Sequence, residues 1–153
     1  MIYASVIQWG NKEIYLSADD YSILGIAFAK PEDVIWKENM VLLECKKQLQ
    51  EYLKGKRKIF DVPIRFNGTD FQNVVWQKLL AIPYGQVVSY GDLATVIGKP
   101  KAARAVGSAC NKNPIAVIIP CHRVVGKSGS LTGYAGGISI KEELLELEKR
   151  SLK

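Results

Sequence analysis

The chain has 153 residues, of which 48% are hydrophobic and 24% are charged, and its formal net charge is +6. This length and composition are typical of an ordinary globular protein with one large domain or two small ones. No apolar run is long enough to span a membrane, and the N-terminal residues lack the charged-then-apolar form of a signal peptide. We therefore expect a cytoplasmic protein.

The three cysteines, Cys45, Cys110 and Cys121, are scattered and form no CxxC pair. This arrangement argues against a disulfide framework and against a zinc cluster. The basic residues are concentrated in the middle of the chain, where Asp70 and Asp92 are the only acids between residues 68 and 131. A basic segment favours a polyanionic partner, although a solvated basic surface explains it as well.

Apolar and polar residues alternate between residues 2 and 28, which predicts a small antiparallel sheet. Residues 38–54 carry an apolar stripe with helical spacing, and Gly55 supplies the stop signal. Cys45 falls on that stripe, so we assign it to the core. The turn Asn67-Gly68 predicts a boundary between a sheet-plus-helix domain at 1–67 and a second domain at 68–153.

The second domain opens with Thr69-x-x-Gln72, which has the form of a helix capping box. The helix after it ends at Pro83-Tyr84-Gly85. A short helix capped at Ser89 follows, and Gly98 joins it to a second helix predicted over residues 100–111, which together form a helix-turn-helix candidate.

The second helix of this candidate is rich in small residues, with Arg104 projecting among Ala103, Ala105 and Gly107. Small residues allow a backbone to approach a narrow DNA groove closely, and a long arginine there can act as a wedge. The same alanines could equally be helix formers packed on the core.

An apolar run at residues 115–119 predicts a buried strand that leads into Pro120-Cys121-His122-Arg123, and His122 is the only histidine. A thiol becomes a good nucleophile when a nearby base or cation helps to ionise it. Taken alone, this pair is also typical of a structural cysteine beside a satisfied histidine. A glycine-rich loop follows at 126–137, and Ser139-x-x-Glu142 predicts a capping box for a last helix that carries Glu148.

Taken together, these motifs resemble those of the O6-alkylguanine-DNA alkyltransferases, which are suicide DNA-repair proteins. The resemblance runs from Phe71 to Glu148 and rests on Val75-Trp76, Ile82-Pro83-Tyr84-Gly85-Gln86-Val87, Ser89-Tyr90, Ala102-Ala103-Arg104-Ala105-Val106-Gly107, Asn113-Pro114, Pro120-Cys121-His122-Arg123-Val124 and Gly133-Tyr134. It implies an α+β fold, with a ribonuclease-H-like N-terminal domain and a C-terminal winged-helix-like domain containing the helix-turn-helix.

The resemblance also implies a reaction. Cys121 accepts the alkyl group from O6-alkylguanine, with O4-alkylthymine as a second candidate substrate. His122 takes the thiol proton through a water, Glu148 orients His122, Asn113 holds the segment carrying Cys121, and Tyr90 protonates the leaving guanine. No cofactor or metal is implied, and the one histidine and unpaired cysteines cannot build the zinc site that some members carry.

Further residues receive roles from the same resemblance. Those expected at the substrate pocket are Val124, Tyr134, Ala135, Cys110 and Lys141. Those expected at the DNA surface are Arg104, Ala103, Ala105, Gly107, Ser89 and Arg123. Ala135 stands where animal members have serine, which removes a hydroxyl contact to O6, and Cys110 replaces a larger residue. The implied partner is double-stranded DNA, bound by a monomer without sequence preference.

Two classes of alternative stay open at this point. A DNA-binding regulator or alkylation sensor would need no reactive cysteine, but a regulator should read bases through its second helix, and this helix offers Ala and Gly. A Cys-His-Glu hydrolase would need an oxyanion site and repeated turnover.

Overall fold

The computed structural model describes residues 1–152 and has an α+β fold. The chain divides into two compact units. The first comprises Met1–Phe66 together with Pro114–Ala116, and the second comprises Asn67–Asn113 and the chain from Val117 onward. The first unit thus ends one residue before the predicted boundary, and it includes a short segment that the sequence assigned to the second domain.

The first unit is built on a four-stranded sheet in the order β3-β2-β1-β4. Its strands are β1 (Tyr3–Trp9), β2 (Lys12–Ala18), β3 (Ile23–Ala27) and β4 (Ile35–Trp36). β1, β2 and β3 pair antiparallel, as the alternating sequence predicted, and β4 adds to β1 in parallel. The alternation places Ile7, Ile14 and Leu16 in the core.

Helix α1 (Met40–Leu53) packs on this sheet through Leu42, Cys45, Leu49 and Tyr52. The Asn39 side chain accepts a hydrogen bond from the backbone N–H of Leu42 and so caps the helix. Gly55, with φ of +74°, turns the chain away after the last helical residue. The prediction of a helix over 38–54 is confirmed to within two residues, and Cys45 lies in the core.

The second unit contains α2 (Asp70–Leu79), α3 (Tyr90–Ile97), α4 (Ala103–Asn111) and α5 (Ile138–Ser151), with a two-stranded parallel sheet of β5 (Val88–Ser89) and β6 (Val124–Val125). Both α2 and α3 begin with a complete capping box, at Thr69 and Ser89. The Trp76 indole N–H on α2 donates to the Ala109 carbonyl oxygen on α4 over 2.9 Å. α3 and α4 form the predicted helix-turn-helix.

Two predicted helix starts are wrong. α4 begins at Ala103 and not at Pro100, because residues 98–102 form a turn in which the Ala102 N–H bonds to the Lys99 carbonyl. α5 begins at Ile138, and Gly137 occupies its N-cap position. Ser139 therefore lies inside the first turn, where its side chain cannot form the predicted capping box.

The predicted strand at residues 115–119 is also wrong. Ile115 makes a single bridge to Ile26, and the chain then turns, with Val117 at φ of +72°. A positive φ at a β-branched residue cannot belong to an extended strand and marks a strained turn. Ile115, Val117 and Ile119 are nevertheless buried, so the apolar run reflects burial rather than strand structure.

Within residues 1–152, none of the helices combines the length and the apolar character needed to cross a membrane.

Candidate active site

The proposed acceptor lies in a tight turn. Cys121–Arg123 form one turn of 3₁₀ helix, in which the Arg123 N–H donates to the Pro120 carbonyl. β6 follows directly and pairs in parallel with β5, through Val124 opposite Val88. Cys121, His122 and Arg123 are all buried. The side chains of Cys121 and His122 are thus both buried, although they are neighbours in the sequence and would point to opposite faces in an extended strand.

The Asn113 amide makes two hydrogen bonds at this turn. Its Nδ2 donates to the Ile119 carbonyl oxygen over 2.7 Å and to Cys121 Sγ over 3.1 Å. Burial raises the pKa of Cys121 to about 11, while the Asn113 hydrogen bond and the Lys141 charge lower it. The thiol is therefore protonated at rest and needs a base before it can attack.

His122 and Glu148 form a buried pair, with Nε2 2.6 Å from Oε2. Because Nε2 faces a carboxylate, we assign the ring proton to Nε2, which leaves Nδ1 as the nitrogen able to accept a proton. Burial lowers the pKa of His122, against the opposing effect of Glu148. The imidazole is thus neutral at physiological pH and suited to act as a base.

Arg123 was expected at the DNA surface, and the structure corrects that expectation. The side chain is 7% exposed, and its guanidinium donates to both oxygens of Glu148 and to the Ile82 carbonyl. A guanidinium with these buried partners cannot reach a DNA phosphate.

Tyr90 and Lys141 meet at the glycine-rich loop. The Tyr90 hydroxyl donates to the Thr132 carbonyl over 3.2 Å, and Lys141 Nζ donates to the same oxygen over 2.9 Å and to the Tyr90 hydroxyl over 3.3 Å. Burial lowers the pKa of Lys141 and raises the pKa of Tyr90. Cys121 and Cys110 influence the pKa values of both groups, so the two cysteines lie near Tyr90 and Lys141.

A cavity of about 1000 Å³ lies between the helix-turn-helix and the glycine-rich loop. Tyr90 at the start of α3, Arg104 and Gly107 on α4, and Thr132 and Gly133 on the loop all line it. Arg104 is also exposed to solvent. The cavity is large enough for a nucleobase.

The remaining residues predicted for the site fall into several environments. Cys110, Val124 and the Tyr134 hydroxyl are buried, and Ala135 is exposed on the loop. Ala105 is exposed on α4, whereas Ala103 lines the cavity. Ser89 also lines the cavity, but its hydroxyl accepts from the Asp92 N–H as the cap of α3. Burial raises the pKa of Cys110 to about 12, so this second thiol is less acidic than Cys121.

Several contributors to the site escape sequence reasoning because they act through the backbone. The Gly85 N–H donates to Glu148 Oε1 over 3.0 Å, and the Thr132 carbonyl receives both Tyr90 and Lys141. Asn111, which lines the cavity and approaches Gly133, carried no motif signal. Among residues 1–152, no group of three or more His, Cys, Asp or Glu side chains is arranged to hold a metal ion.

Comparison with known proteins places this site in a family. Residues 70–150 match the DNA binding domain of 6-O-methylguanine DNA methyltransferase, and residues 2–66 match the ribonuclease-like domain of the same protein. The methylated-DNA–protein-cysteine methyltransferase of Methanosarcina barkeri is 44% identical over 158 residues, which cover 99% of this chain and 100% of the relative. The constitutive enzyme of that name from Bacillus subtilis is 43% identical over 163 residues, covering 100% and 99%.

A solved structure agrees with this match. Mycobacterium tuberculosis OGT in complex with DNA superposes with a TM-score of 0.91 at 42% identity, covering 97% of this chain and 94% of that one. Family matches over both parts of the chain, together with relatives of this identity and coverage, show that the chain belongs to the 6-O-methylguanine DNA methyltransferase family.

Proposed function

We propose that the protein repairs alkylated DNA by irreversible transfer of the alkyl group from O6-alkylguanine to Cys121, once per molecule. One observation carries the assignment of the acceptor: Cys121 Sγ receives a hydrogen bond from Asn113 and lies in the same turn as His122, which is paired with Glu148. The names of the relatives, which are methylated-DNA–protein-cysteine methyltransferases, supply the reaction type.

The chemistry follows from the groups around the sulfur. His122 accepts the thiol proton at Nδ1 through a water, and the thiolate attacks the alkyl carbon as the bond from that carbon to O6 breaks. Tyr90 donates a proton to N3 of the purine, so the leaving group is neutral guanine. The proton gained by His122 balances the one lost by Tyr90. The overall change therefore converts a thiol and an aryl ether into a thioether and guanine.

The thioether formed on Cys121 does not react further. No water attack regenerates the thiol, because an alkyl thioether has no good leaving group at neutral pH. The protein is thus consumed in stoichiometric amounts.

Substrate access requires extrusion of the damaged base, because the O6 atom is inside the stacked duplex and the Cys121 thiol is buried. We place α4 in the minor groove, where Ala103, Ala105 and Gly107 permit close approach and Arg104 fills the space left by the flipped nucleotide. When the base is bound, the Tyr90 hydroxyl has to break its hydrogen bond to the Thr132 carbonyl and donate to the purine instead. Tyr134, Val124 and Lys141 complete the pocket.

The partner is double-stranded DNA, bound by one copy of the chain mainly through phosphates. The net charge of +6 supports binding that weakens with salt and lacks sequence preference. Arg104→Ala should slow transfer from duplex DNA much more than transfer from a single strand, because only the duplex has a stack that closes behind the flipped base.

The test of the acceptor uses duplex DNA whose O6-methylguanine carries a radiolabelled methyl group. We expect the label to move to the native protein and to the Cys110→Ser variant, and to remain on the DNA with Cys121→Ser. Peptide mapping should locate it on Cys121. Label on Cys110, or equal labelling of the Cys121→Ser variant, would show that the acceptor is assigned wrongly. DNA binding without any transfer would favour the sensor alternative.

A further inference from the structure

Arg123 makes more contacts with Glu148 than the catalytic histidine does. Arg123 Nε lies 2.9 Å from Glu148 Oε1 and 3.2 Å from Oε2, and a terminal nitrogen lies 3.0 Å from Oε2. The other terminal nitrogen donates to the Ile82 carbonyl over 2.7 Å, and the guanidinium lies 5.6 Å from the centre of the Tyr84 ring. The carboxylate is therefore bound by a fixed cation as well as by an imidazole.

The cation next to Glu148 reduces the effect of this carboxylate on the protonation of His122. A lone carboxylate buried beside His122 would favour the imidazolium, because an opposite charge within a few ångströms stabilises the charged form. An imidazolium has no lone pair with which to take the Cys121 proton. In a base built only from His122 and Glu148, burial alone would oppose this effect of the carboxylate.

We propose that Arg123 is a positioning residue that neutralises Glu148 and so keeps His122 an unprotonated base, an inference that rests on the proposed function of the same site. Glu148 and Lys141 face His122 from α5, and Cys121 and Arg123 flank it in the turn. Burial is the largest influence on the pKa of His122 and lowers it, Glu148 raises it, and the charges of Arg123 and Lys141 add to the effect of burial. Without the Arg123 charge, the Glu148 carboxylate should therefore raise the pKa of His122 further.

The direct test is an NMR titration of the full-length protein, which is unambiguous because His122 is the only histidine. We would follow the ring carbon and proton shifts from pH 5 to 8.5 in native protein, Arg123→Met and Arg123→Lys. Arg123→Met nearly preserves the volume of the side chain and removes its charge, while Arg123→Lys retains the charge without the bidentate contact. We expect the pKa of His122 to rise by about 1–3 units in Arg123→Met, and by less in Arg123→Lys.

Kinetics provide a second measurement. In single-turnover transfer from O6-methylguanine DNA, the acid limb of the pH–rate profile should move to higher pH in Arg123→Met. The rate at pH 7 should fall about three- to tenfold, and it should recover towards pH 8.5 as the imidazole loses its proton. A purely structural role would lower the rate by the same factor at every pH and would leave the histidine titration unchanged, and that result would overturn the inference.

Two further results separate this inference from the proposed function. Glu148→Gln removes the carboxylate and keeps Arg123, so the pKa of His122 should fall below its native value, and this variant serves if Arg123→Met does not fold. If His122 titrates as expected but the native protein transfers no methyl group, the electrostatic role stands and the proposed function fails. If transfer is normal and neither variant shifts the titration, the role of Arg123 is wrong and the function stands.

Discussion

Asn113 Nδ2 lies 3.1 Å from Cys121 Sγ and 2.7 Å from the Ile119 carbonyl oxygen, so one amide group both fixes the turn before the cysteine and offers its sulfur a hydrogen bond. The amide lowers the pKa of a thiol that burial otherwise raises. A hydrogen bond to a charged group contributes about 1.5–3 kcal/mol. Most of that stabilisation applies to the thiolate, which is the form that reacts.

Asn113→Ala should therefore slow single-turnover methyl transfer at pH 7 by about tenfold or more. Asn73→Ala is a matched control, because Asn73 also bonds to the backbone in the second unit, through the N–H and carbonyl of Gly68, but lies on α2. The control should lose stability in thermal melting without losing transfer rate. Equal rates for the two variants would show that the Asn113–sulfur bond has no catalytic role.

Substitution of Gly107 on α4 should change stability and transfer rate in opposite directions. A Cβ added there would lie 3.7 Å from Tyr90 Cε1, which is ordinary van der Waals contact, so Gly107→Ala should fold without strain. Alanine should stabilise the helix by about 0.5–1 kcal/mol in urea unfolding. The added methyl group lies at the cavity beside Tyr90, and we expect transfer from duplex DNA to slow by about tenfold, or about 1.4 kcal/mol. A variant that is more stable and equally active would argue against this face of α4 as the DNA surface.

Lys141 holds the glycine-rich loop through its bonds to the Thr132 and Gly133 carbonyls and to the Tyr90 hydroxyl. Lys141→Met removes these donors and should make the loop open more often, since each charge-assisted bond contributes about 1.5–3 kcal/mol. We expect trypsin to cut after Lys127 about ten times faster or more, and methyl transfer to slow. Lys149→Met, on the exposed face of the same helix, is the control and should change neither rate. Loop cleavage at the native rate in Lys141→Met would contradict the role of this lysine.

The buried histidine predicts a particular dependence of stability on pH. Burial lowers the pKa of His122 in the folded state below its ordinary value of about 6.5. Well above pH 6.5, as at pH 7.5, the imidazole is mostly neutral in both states and contributes little pH dependence. As the pH falls through 6.5 the unfolded state takes up more protons than the folded state, so the free energy of unfolding should fall between pH 6.5 and 5.5, by at most about 1 kcal/mol.

Urea unfolding at pH 7.5, 6.5 and 5.5 measures this effect. His122→Gln should be less stable throughout, because it disturbs a buried hydrogen-bonded pair, but its free energy of unfolding should vary less between pH 6.5 and 5.5. The same pH dependence in both proteins would mean that folding does not lower the pKa of His122, which would contradict the effect of burial on this residue.

The sequence predicted those parts of the fold that depend on local signals. α2 and α3 begin at the predicted caps, Thr69 and Ser89, because a cap satisfies the first backbone N–H groups through a residue only a few positions away. The run at residues 115–119 shows the limit of such reasoning. Apolar composition predicted its burial correctly, but a β-branched residue such as Val117 rarely adopts a positive φ, so the residue types do not predict the turn there.

The site shows the same division. Cys121, His122 and Glu148 were identified by the resemblance, and the structure brings His122 and Glu148 into contact across 26 positions of the chain. Arg123 was assigned to the DNA surface with the other residues that the resemblance places there, and its buried partner, Glu148, is far away in sequence. The Gly85 N–H and the carbonyls of Thr132 and Ile82 belong to the backbone, so the residue types at these positions do not reveal their roles.

Intact mass spectrometry after mixing the protein with duplex DNA containing one O6-methylguanine tests the central claim most directly. With DNA in excess, the native protein should gain one methylene, about 14 Da, and stop at one per molecule, while Cys121→Ala should gain none. DNA methyl lost beyond one equivalent of protein would mean that the thiol is regenerated, and no mass gain on the native protein would mean that Cys121 is not an acceptor. Either result would contradict stoichiometric transfer to Cys121.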